Sequence, residues 1–591
     1  MSITQRVAAL RQWMRDRQIA AYVIPTADPH NDEYIPAHWM TREWITGFTG
    51  SAGLAIVTLT QAALWTDSRY WLQAEDELKD TPYSLMRDGE AGVPEPYVWL
   101  NEVLVEASAQ GTVCCPGDVL SAQMRAEAAH AGIDLQPGAD AFDSLWTNRP
   151  DLPAGAIDVQ PLVYAGVAVT AKLDRVRQTL RQTLEGRTYV FNDLSDIAWL
   201  LNLRGEDIPY NPVFVSYLTY DATSDRFTLF THIETLSAEA RQSLADAQVS
   251  CEAYGAFEAS LRGKPKAMDF ASASCLLYDS ATDTYLDTPV TLWRAVKNEA
   301  EQAGFRTAME RDGVAMVQFL RWLDEAIERG ERVTEMSVDA QLTAYRQAQP
   351  GFKDLSFATI AGYAAHGAIV HYEADEATDA LLEPRSLLLL DSGAQYDCGT
   401  TDITRTLALG TLTDEEKKVY TLVFKGHLAL ARMHFPEGTT GLQLDTAARA
   451  DMWAAGYDFG HGTGHGVGSH LCVHEGPNQI RKNVRSCTLN PYVAGMTVTD
   501  EPGIYVSGRF GVRIENTLLC VAGCETDFGK FLHFESLTLC PYDLRPVDFS
   551  LLNDVERQQI NMYHSQVCER LMPLLHDEGD RAWLEKATAA I

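Results

Sequence analysis

The sequence predicts an α/β and α+β protein in three parts: two tandem α/β domains over residues 1–150 and 151–292, then a larger α+β domain over 293–591 with a pseudo-twofold internal repeat. Three observations predict it. Up to about residue 290, short apolar runs alternate with helical stretches, the pattern of layered α/β domains. That pattern is interrupted once, at NRPDLPAG, where two prolines and a glycine disfavour any regular element and set a boundary near Asp151. Beyond residue 292 the pattern changes to helices followed by a strand pair carrying two acids, and this order appears twice.

The opening MSITQRVAALRQWMRDRQIAAYVIP reads as an amphipathic helix and a short strand, without the continuous apolar core of a secretion signal. AGLAIVTL and AALWTD read as further strands of the first domain. In the second domain TYVFND is a strand, LSDIAWLLNL a helix, and VFVSYLTY and RFTLFTH strands again. The third domain begins with a long helix in which Met316, Leu320, Leu323 and Ile327 share one face and Gly330 marks the stop. SLLLLDSGAQ and TDITRTLALG form its first strand pair. Thr413 with Glu416 makes a capping box for the next helix, which Pro436 and Gly438 close off. A shorter helix runs to Gly456, and GMTVTDEPGIYV with FGVRIENTLLCV forms the second strand pair. The tail helix VERQQINMYHSQVCERLMPLL is expected to pack on this domain and is assigned no chemistry.

Composition narrows the function. With 48 Lys and Arg against 81 Asp and Glu the net charge is −33, on a chain whose 22% charged residues are ordinary for a folded protein. Such a surface repels nucleic-acid phosphates and favours cations, among them metal ions and the protonated amino termini of peptides. The eleven cysteines include no Cys-x-x-Cys pair, so neither a disulfide framework nor a thiolate zinc site is indicated, and a reducing compartment fits. No apolar run reaches the roughly 18 residues of a membrane span, so a cytoplasmic protein with no membrane partner is expected.

Four acids stand in strand-like contexts: Asp391 and Asp402 in the first half, Glu501 and Glu515 in the second. Carboxylates avoid burial unless they are paired or bind metal, yet Asp391 directly follows the run Leu387 to Leu390, which reads as a buried strand. Between the halves, HGTGHGVGSHLCVH sets His461, His465, His470 and His474 in a loop whose glycines permit close backbone approach. One imidazole and four carboxylates suit hard or borderline divalent ions, and the number of carboxylates suggests two of them. Two ions bridged by carboxylates can polarise a carbonyl for hydrolysis, which leaves amide, ester and phosphate substrates open.

The ordered set DSGAQYDCGTTD, HGTGHGVG, TDEPG and RIEN resembles the pita-bread metallopeptidases, a family that includes methionine aminopeptidases, prolidases and aminopeptidases P. HGAIVHY, WTDSRYWLQAE, AWLLNLRGEDIPYNPVFVSY and LWRAVKNEAE extend the resemblance upstream to the long form with two creatinase-like α/β domains in front. The resemblance implies that Asp391 chelates one ion, that Asp402 and Glu515 bridge both, and that His465 and Glu501 complete the other shell. It implies two divalent ions, Mn(II) foremost, and attack of a metal-bridging hydroxide on an X-Pro amide with Glu501 handling the proton. His371 would contact the substrate around the scissile bond, His474 would stabilise the developing oxyanion, and His461 would line the pocket. Arg513 belongs to the same substrate-facing set, its guanidinium pairing with a ligand carboxylate. Tyr505 resembles an active-site tyrosine, and Arg69 fits either a cleft residue or a structural ion pair.

The activity so implied is a metal-dependent aminopeptidase acting on proline-containing peptides with proline second, in a homodimer. An X-Pro bond has no N–H, so a protease that binds substrate as an added strand loses a hydrogen bond there and a dedicated site is required. A dipeptide-cutting prolidase and a non-catalytic peptide-binding module are the alternatives. The front end of about 290 residues weighs against the first, and the complete ligand set against the second.

Overall fold

The structure, a computed structural model, describes residues 1–278 and 281–591. The chain forms two compact units, Met1–Leu162 with Val167–Val290, and Thr291–Ile591 with the short segment Val163–Gly166.

The first unit opens on helix α1 (Ile3–Arg15), begun by a capping box in which Ser2 accepts the Gln5 N–H and Gln5 returns the bond. Its first sheet contains β1 (Ile19–Pro25), β2 (Leu54–Thr58), β3 (Ala62–Thr66), β4 (Ser84–Arg87), β5 (Thr112–Pro116) and β6 (Leu135–Gly138), in the order β4-β3-β2-β1-β5-β6. β1 is buried throughout: Tyr22 and Ile24 join one core, Ala21 and Val23 another, so the period of two feeds apolar layers on both faces. The second sheet contains β7 (Thr188–Phe191), followed by helix α2 (Leu194–Leu201), then β8 (Tyr217–Asp221), β9 (Arg226–Thr231), β10 (Val249–Ala253), β11 (Lys266–Met268) and β12 (Thr284–Tyr285). Its order, β10-β9-β8-β7-β11-β12, repeats that of the first sheet strand for strand. The pairing senses repeat as well, antiparallel at the two central joints and parallel at the other three. VFVSYLTY is only half strand; the ladder starts at Tyr217.

This unit also buries an acid. Oδ1 of Asp28, just past β1, accepts the backbone N–H of His30 at 2.9 Å and of Asp32 at 3.1 Å. The His30 ring is held by the Asn192 carbonyl at 2.9 Å and the Tyr254 hydroxyl at 3.1 Å. Burial pushes the Asp28 carboxyl up to about 7 and the His30 imidazole down to about 3, so both favour their neutral forms.

The second unit is led by helix α3 (Glu299–Glu328), capped by Asn298 and Glu301, with Gly330 beyond its end at φ +67°. Helix α4 (Glu335–Gln347) follows, then a three-stranded antiparallel sheet of β13 (Ile360–Tyr363), β14 (Leu387–Ser392) and β15 (Ile403–Ala408), with β14 in the middle. Leu388 and Leu390 pack with Phe319, Leu320 and Leu342 of the two helices. Truncating either leucine to alanine is expected to cost about 2–5 kcal/mol. Leu387, Leu389 and Asp391 occupy the other face by period two.

The helix–helix–strand order then recurs. α5 (Asp414–Ala431) carries the predicted Thr413–Glu416 capping box, β16 (His434–Pro436) follows, and α6 is Gly441–Ala454. Next come β17 (Gly464–Gly466), β18 (Glu475–Ile480), β19 (Thr497–Asp500), β20 (Gly503–Val506), β21 (Phe510–Arg513), β22 (Asn516–Thr526) and β23 (Gly529–Ser536). Each of the two runs expected as single strands is thus broken in two. β19 pairs with β22 in the four-stranded sheet β16-β23-β22-β19, whereas β20 pairs only with β21. Pro502 explains the seam, because it has no N–H to carry the ladder on. Helices α7 (Asp554–Leu571) and α8 (Glu578–Ala587) close the unit, and Ile560, Val567 and Leu571 share a core with Val419 and Val423 of α5.

Candidate metal centre

The seam in the second strand pair is where Glu501 and Glu515 sit. Asp500 pairs with Asn516 on one side of the second seam and Gly503 with Arg513 on the other, in unchanged register. Glu501 and Glu515 therefore stand opposite one another, an arrangement that repels unless a cation lies between them. In the first half Asp391 lies within β14, opposite Thr404, and Asp402 just precedes β15. Thr404 ties the halves together: its hydroxyl donates to Glu515 Oε2 at 2.7 Å, and its carbonyl accepts the Glu515 N–H at 3.0 Å.

His465 enters from β17, between two glycines whose lack of a side chain is a requirement. A Cβ on Gly464 would lie 1.9 Å from the Thr499 carbonyl oxygen, and one on Gly466 2.5 Å from that of Glu475. Thr499 Oγ1 holds the His465 N–H at 3.1 Å. The His465 Nδ1 lies 2.9 Å from the Gly466 carbonyl, which fixes the proton on Nδ1 and leaves Nε2 with its lone pair. That lone pair faces Asp402 Oδ2 at 3.5 Å and Glu501 Oε1 at 3.6 Å. Ligand atoms of Asp402, His465 and Glu515 lie within 4.8 Å of one another.

The donor set fits divalent cations. Burial and then neighbouring acids, Asp391 foremost for Asp402 and Asp402 foremost for Glu515, drive those two carboxyls well above the usual range. Burial likewise raises Glu501, to about 7, although Arg513 and His474 pull it down. Asp391 Oδ1 is buried with no hydrogen-bond partner. Crowded acids, an aimed imidazole lone pair and an orphaned carboxylate oxygen together describe a cage for positive charge.

Arg513 is 1% exposed and is spent on the protein. It donates to Asp391 Oδ2 at 2.6 and 3.1 Å, to Thr404 Oγ1 at 3.3 Å, to the Tyr505 hydroxyl at 2.6 Å and to the Val370 carbonyl at 3.3 Å. This departs from the expectation that it faces substrate, since its planar fork is used to brace Asp391. His461 is buried, with Nε2 2.7 Å from the Tyr505 hydroxyl and Nδ1 2.7 Å from the Gly462 carbonyl. An unbroken chain of hydrogen bonds therefore runs from His461 through Tyr505 and Arg513 to Asp391. The His474 ring meets the His465 ring edge to face, centroids 4.4 Å apart. His371 is half-buried, flanked by Val370, whose carbonyl Arg513 holds, and Tyr372, whose hydroxyl donates to Glu335 at 2.9 Å. Arg69 forms a bidentate pair with Asp67, both bonds 2.8 Å, which is the ion-pair reading.

Sequence reasoning passed over Glu475, the residue after His474. It is buried between Arg294 and Lys297, with Arg294 Nη1 3.2 Å from its Oε1 and the Lys297 ammonium on Oε2. LWRAVKNEAE thus supplies a buried cationic pair beside the histidine loop, and the only signal was the closeness of an arginine and a lysine in a partly apolar run.

A cluster in which ligand atoms of Asp402, His465 and Glu515 lie within 4.8 Å of one another, with the acids Asp391 and Glu501 beside it, is the donor chemistry of a metallohydrolase. Comparison with known families agrees: residues 303–522 match metallopeptidase family M24 and residues 530–591 its C-terminal region, while 6–144 and 148–301 each match a creatinase/prolidase N-terminal domain. The chain belongs to metallopeptidase family M24. Among its relatives it is 37% identical to aminopeptidase P2 of Arabidopsis thaliana, covering 98% of this chain and 88% of the relative. It is 36% identical to Xaa-Pro aminopeptidase 1 of Dictyostelium discoideum, over 99% of this chain and 96% of the relative. The solved X-prolyl aminopeptidase of Caenorhabditis elegans, described as a cytosolic enzyme with a di-nuclear active site, superposes with a TM-score of 0.92 at 31% identity over 100% of both chains. Among the described residues no helix is long and apolar enough to cross a membrane.

Proposed function

We propose that the protein is a metal-dependent aminopeptidase that releases the N-terminal residue from peptides with proline in second position. The cage carries this reading, in particular the His465 lone pair aimed at two carboxylates that lie too close for an empty dry site. In this reading Asp391, Asp402, His465, Glu501 and Glu515 would hold the two ions. Two divalent ions, Mn(II) in our proposal, would supply Lewis-acid polarisation of the scissile carbonyl and acidify a water near neutral pH. Glu501 takes the proton of the attacking water on its carboxylate and passes it to the leaving prolyl nitrogen. His474 donates to the carbonyl oxygen as negative charge grows there, His371 contacts the peptide around the scissile bond, and His461 lines the pocket. Arg513 keeps Asp391 oriented.

We further propose a cytoplasmic homodimer, with domains divided near residues 150 and 292. The cytosolic C. elegans neighbour supports the first part. The test is hydrolysis of Arg-Pro-Pro and of the dipeptide Arg-Pro by metal-stripped protein, with and without Mn(II). Cleavage of the tripeptide alone, restored by Mn(II), is expected. Cleavage of the dipeptide alone would establish a prolidase, and inactivity on both with metal bound would leave a peptide-binding role.

A further inference from the structure

The strand that brings Glu501 to the centre has a second face. Thr497 and Thr499 of β19 turn toward the His465 strand, holding the N–H groups of Val467 at 3.2 Å and His465 at 3.1 Å. Val498 and Asp500 therefore point the opposite way. There Asp500 is fully buried, and its partner is His427 of α5, fully buried too, with Nδ1 3.1 Å from the Asp500 carbonyl and 3.2 Å from Oδ2. The far side of that ring, Nε2, lies 2.8 Å from the hydroxyl of Tyr542, which accepts from Asn516 Nδ2 at 2.9 Å. Asn516 is the cross-strand partner of Asp500. The chain of bonds thus leaves the neighbour of Glu501 and returns to the neighbour of Glu515. Arg405 closes the wall, donating to the Glu515 carbonyl at 2.7 Å, to Asn516 Oδ1 at 2.9 Å and to the Tyr563 hydroxyl at 3.1 Å.

An apolar layer would fill this space with less desolvation cost, and neither carboxylate oxygen of Asp500 has a hydrogen-bond donor, the bond from His427 going to its backbone carbonyl. What the polar chain provides instead is direction, because each bond fixes an angle as well as a distance. We propose that the Asp500–His427–Tyr542–Asn516 chain is a positioning device that sets the separation of Glu501 and Glu515 from behind, so that the C-terminal region, through Tyr542, is a working part of the metal centre. This rests on the reading of Glu501 and Glu515 as metal ligands.

The test compares full-length Tyr542→Phe and Asp500→Asn with Val567→Ala, a truncation in the same apolar core that removes no hydrogen bond. Mn(II) affinity is read by titration of metal-stripped protein, kcat and KM on Arg-Pro-Pro, and stability by thermal melting. Tyr542→Phe is expected to lose about 10- to 100-fold in Mn(II) affinity or kcat with KM within about twofold, the usual consequence of losing a partner behind a metal ligand. Asp500→Asn, which still accepts from His427, is expected to keep most of both. Wild-type affinity and kcat in Tyr542→Phe would overturn the proposal, as would equal losses in Val567→Ala, which would mark the effect as general destabilisation. The titration needs no substrate, so failure of the wild-type chain to cut Arg-Pro-Pro would count against the aminopeptidase reading and leave the positioning test standing.

Discussion

Each unit buries acid, and the two do so in opposite ways. Asp28 in the first unit is met by its own turn, two backbone N–H groups binding Oδ1 while Oδ2 has no hydrogen-bond partner. Asp402, Glu501 and Glu515 in the second are driven up by one another as well as by burial. An acid met by backbone N–H groups and no neighbouring carboxylate takes its partners from the chain itself. Acids that face acids are finished only by a cation from outside, and that shortfall is what distinguishes a site from a core.

The comparison breaks most visibly at Asp402. Asp402→Asn is expected to lower kcat/KM on Arg-Pro-Pro by about 10³-fold or more, since metal contributes several kcal/mol to the barrier. The melting temperature of the metal-free variant should hold or rise, because one repelling charge is gone. A melting temperature that falls as for a core truncation would mark the Asp402 carboxylate as a structural group of the fold and not one left for a cation. His474→Ala should cost about 10²- to 10³-fold in kcat while Mn(II) content stays at the wild-type level, measured by steady-state kinetics beside elemental analysis. Loss of metal together with rate would make His474 a ligand instead.

Mn(II) at about 100 times its dissociation constant is expected to stabilise the protein by about 2.7 kcal/mol, seen as a higher melting temperature for the second unit only. Asp28 sharpens the contrast at the smallest scale. Its folded pKa, about 7, lies above the ordinary carboxylate value of 3.8, so the stability it contributes is complete below about pH 4 and is lost as the pH rises through 7. Asp28→Asn should therefore melt above wild type by a margin that is small near pH 4 and widens up to about pH 7, by a few kcal/mol at most, with kcat unchanged at pH 5 and pH 8.

Much of this was legible in the sequence. The four acids and His465 stood out because buried-strand leucines and glycine-flanked histidines are poor company for charge unless it is used. The doubled α/β front end was visible as two stretches of the same pattern, although only the strand pairing reveals that the second sheet copies the first joint by joint. The seams were missed, since a proline within an alternating run does not say whether the strand ends or changes partner. Arg513 was assigned to the correct carboxylate cluster but to the wrong surface; its spacing from Glu515 gives no sign that Asp391, Thr404 and Tyr505 close around it. Asp500, His427 and Tyr542 were invisible, because a hydrogen-bonded wall is made of residues 42 to 115 positions apart that share no local pattern.

One further consequence follows from Arg405. Its buried guanidinium, directly behind Glu515, completes its bonds on the carbonyls of Cys540 at 2.8 Å and Pro541 at 3.1 Å. Those acceptors are made after every residue of the cage, and domains fold broadly in the order in which they leave the ribosome. The order of synthesis therefore acts as a clock: a nascent chain made only as far as Glu515 still lacks the two carbonyls that hold Arg405 behind it.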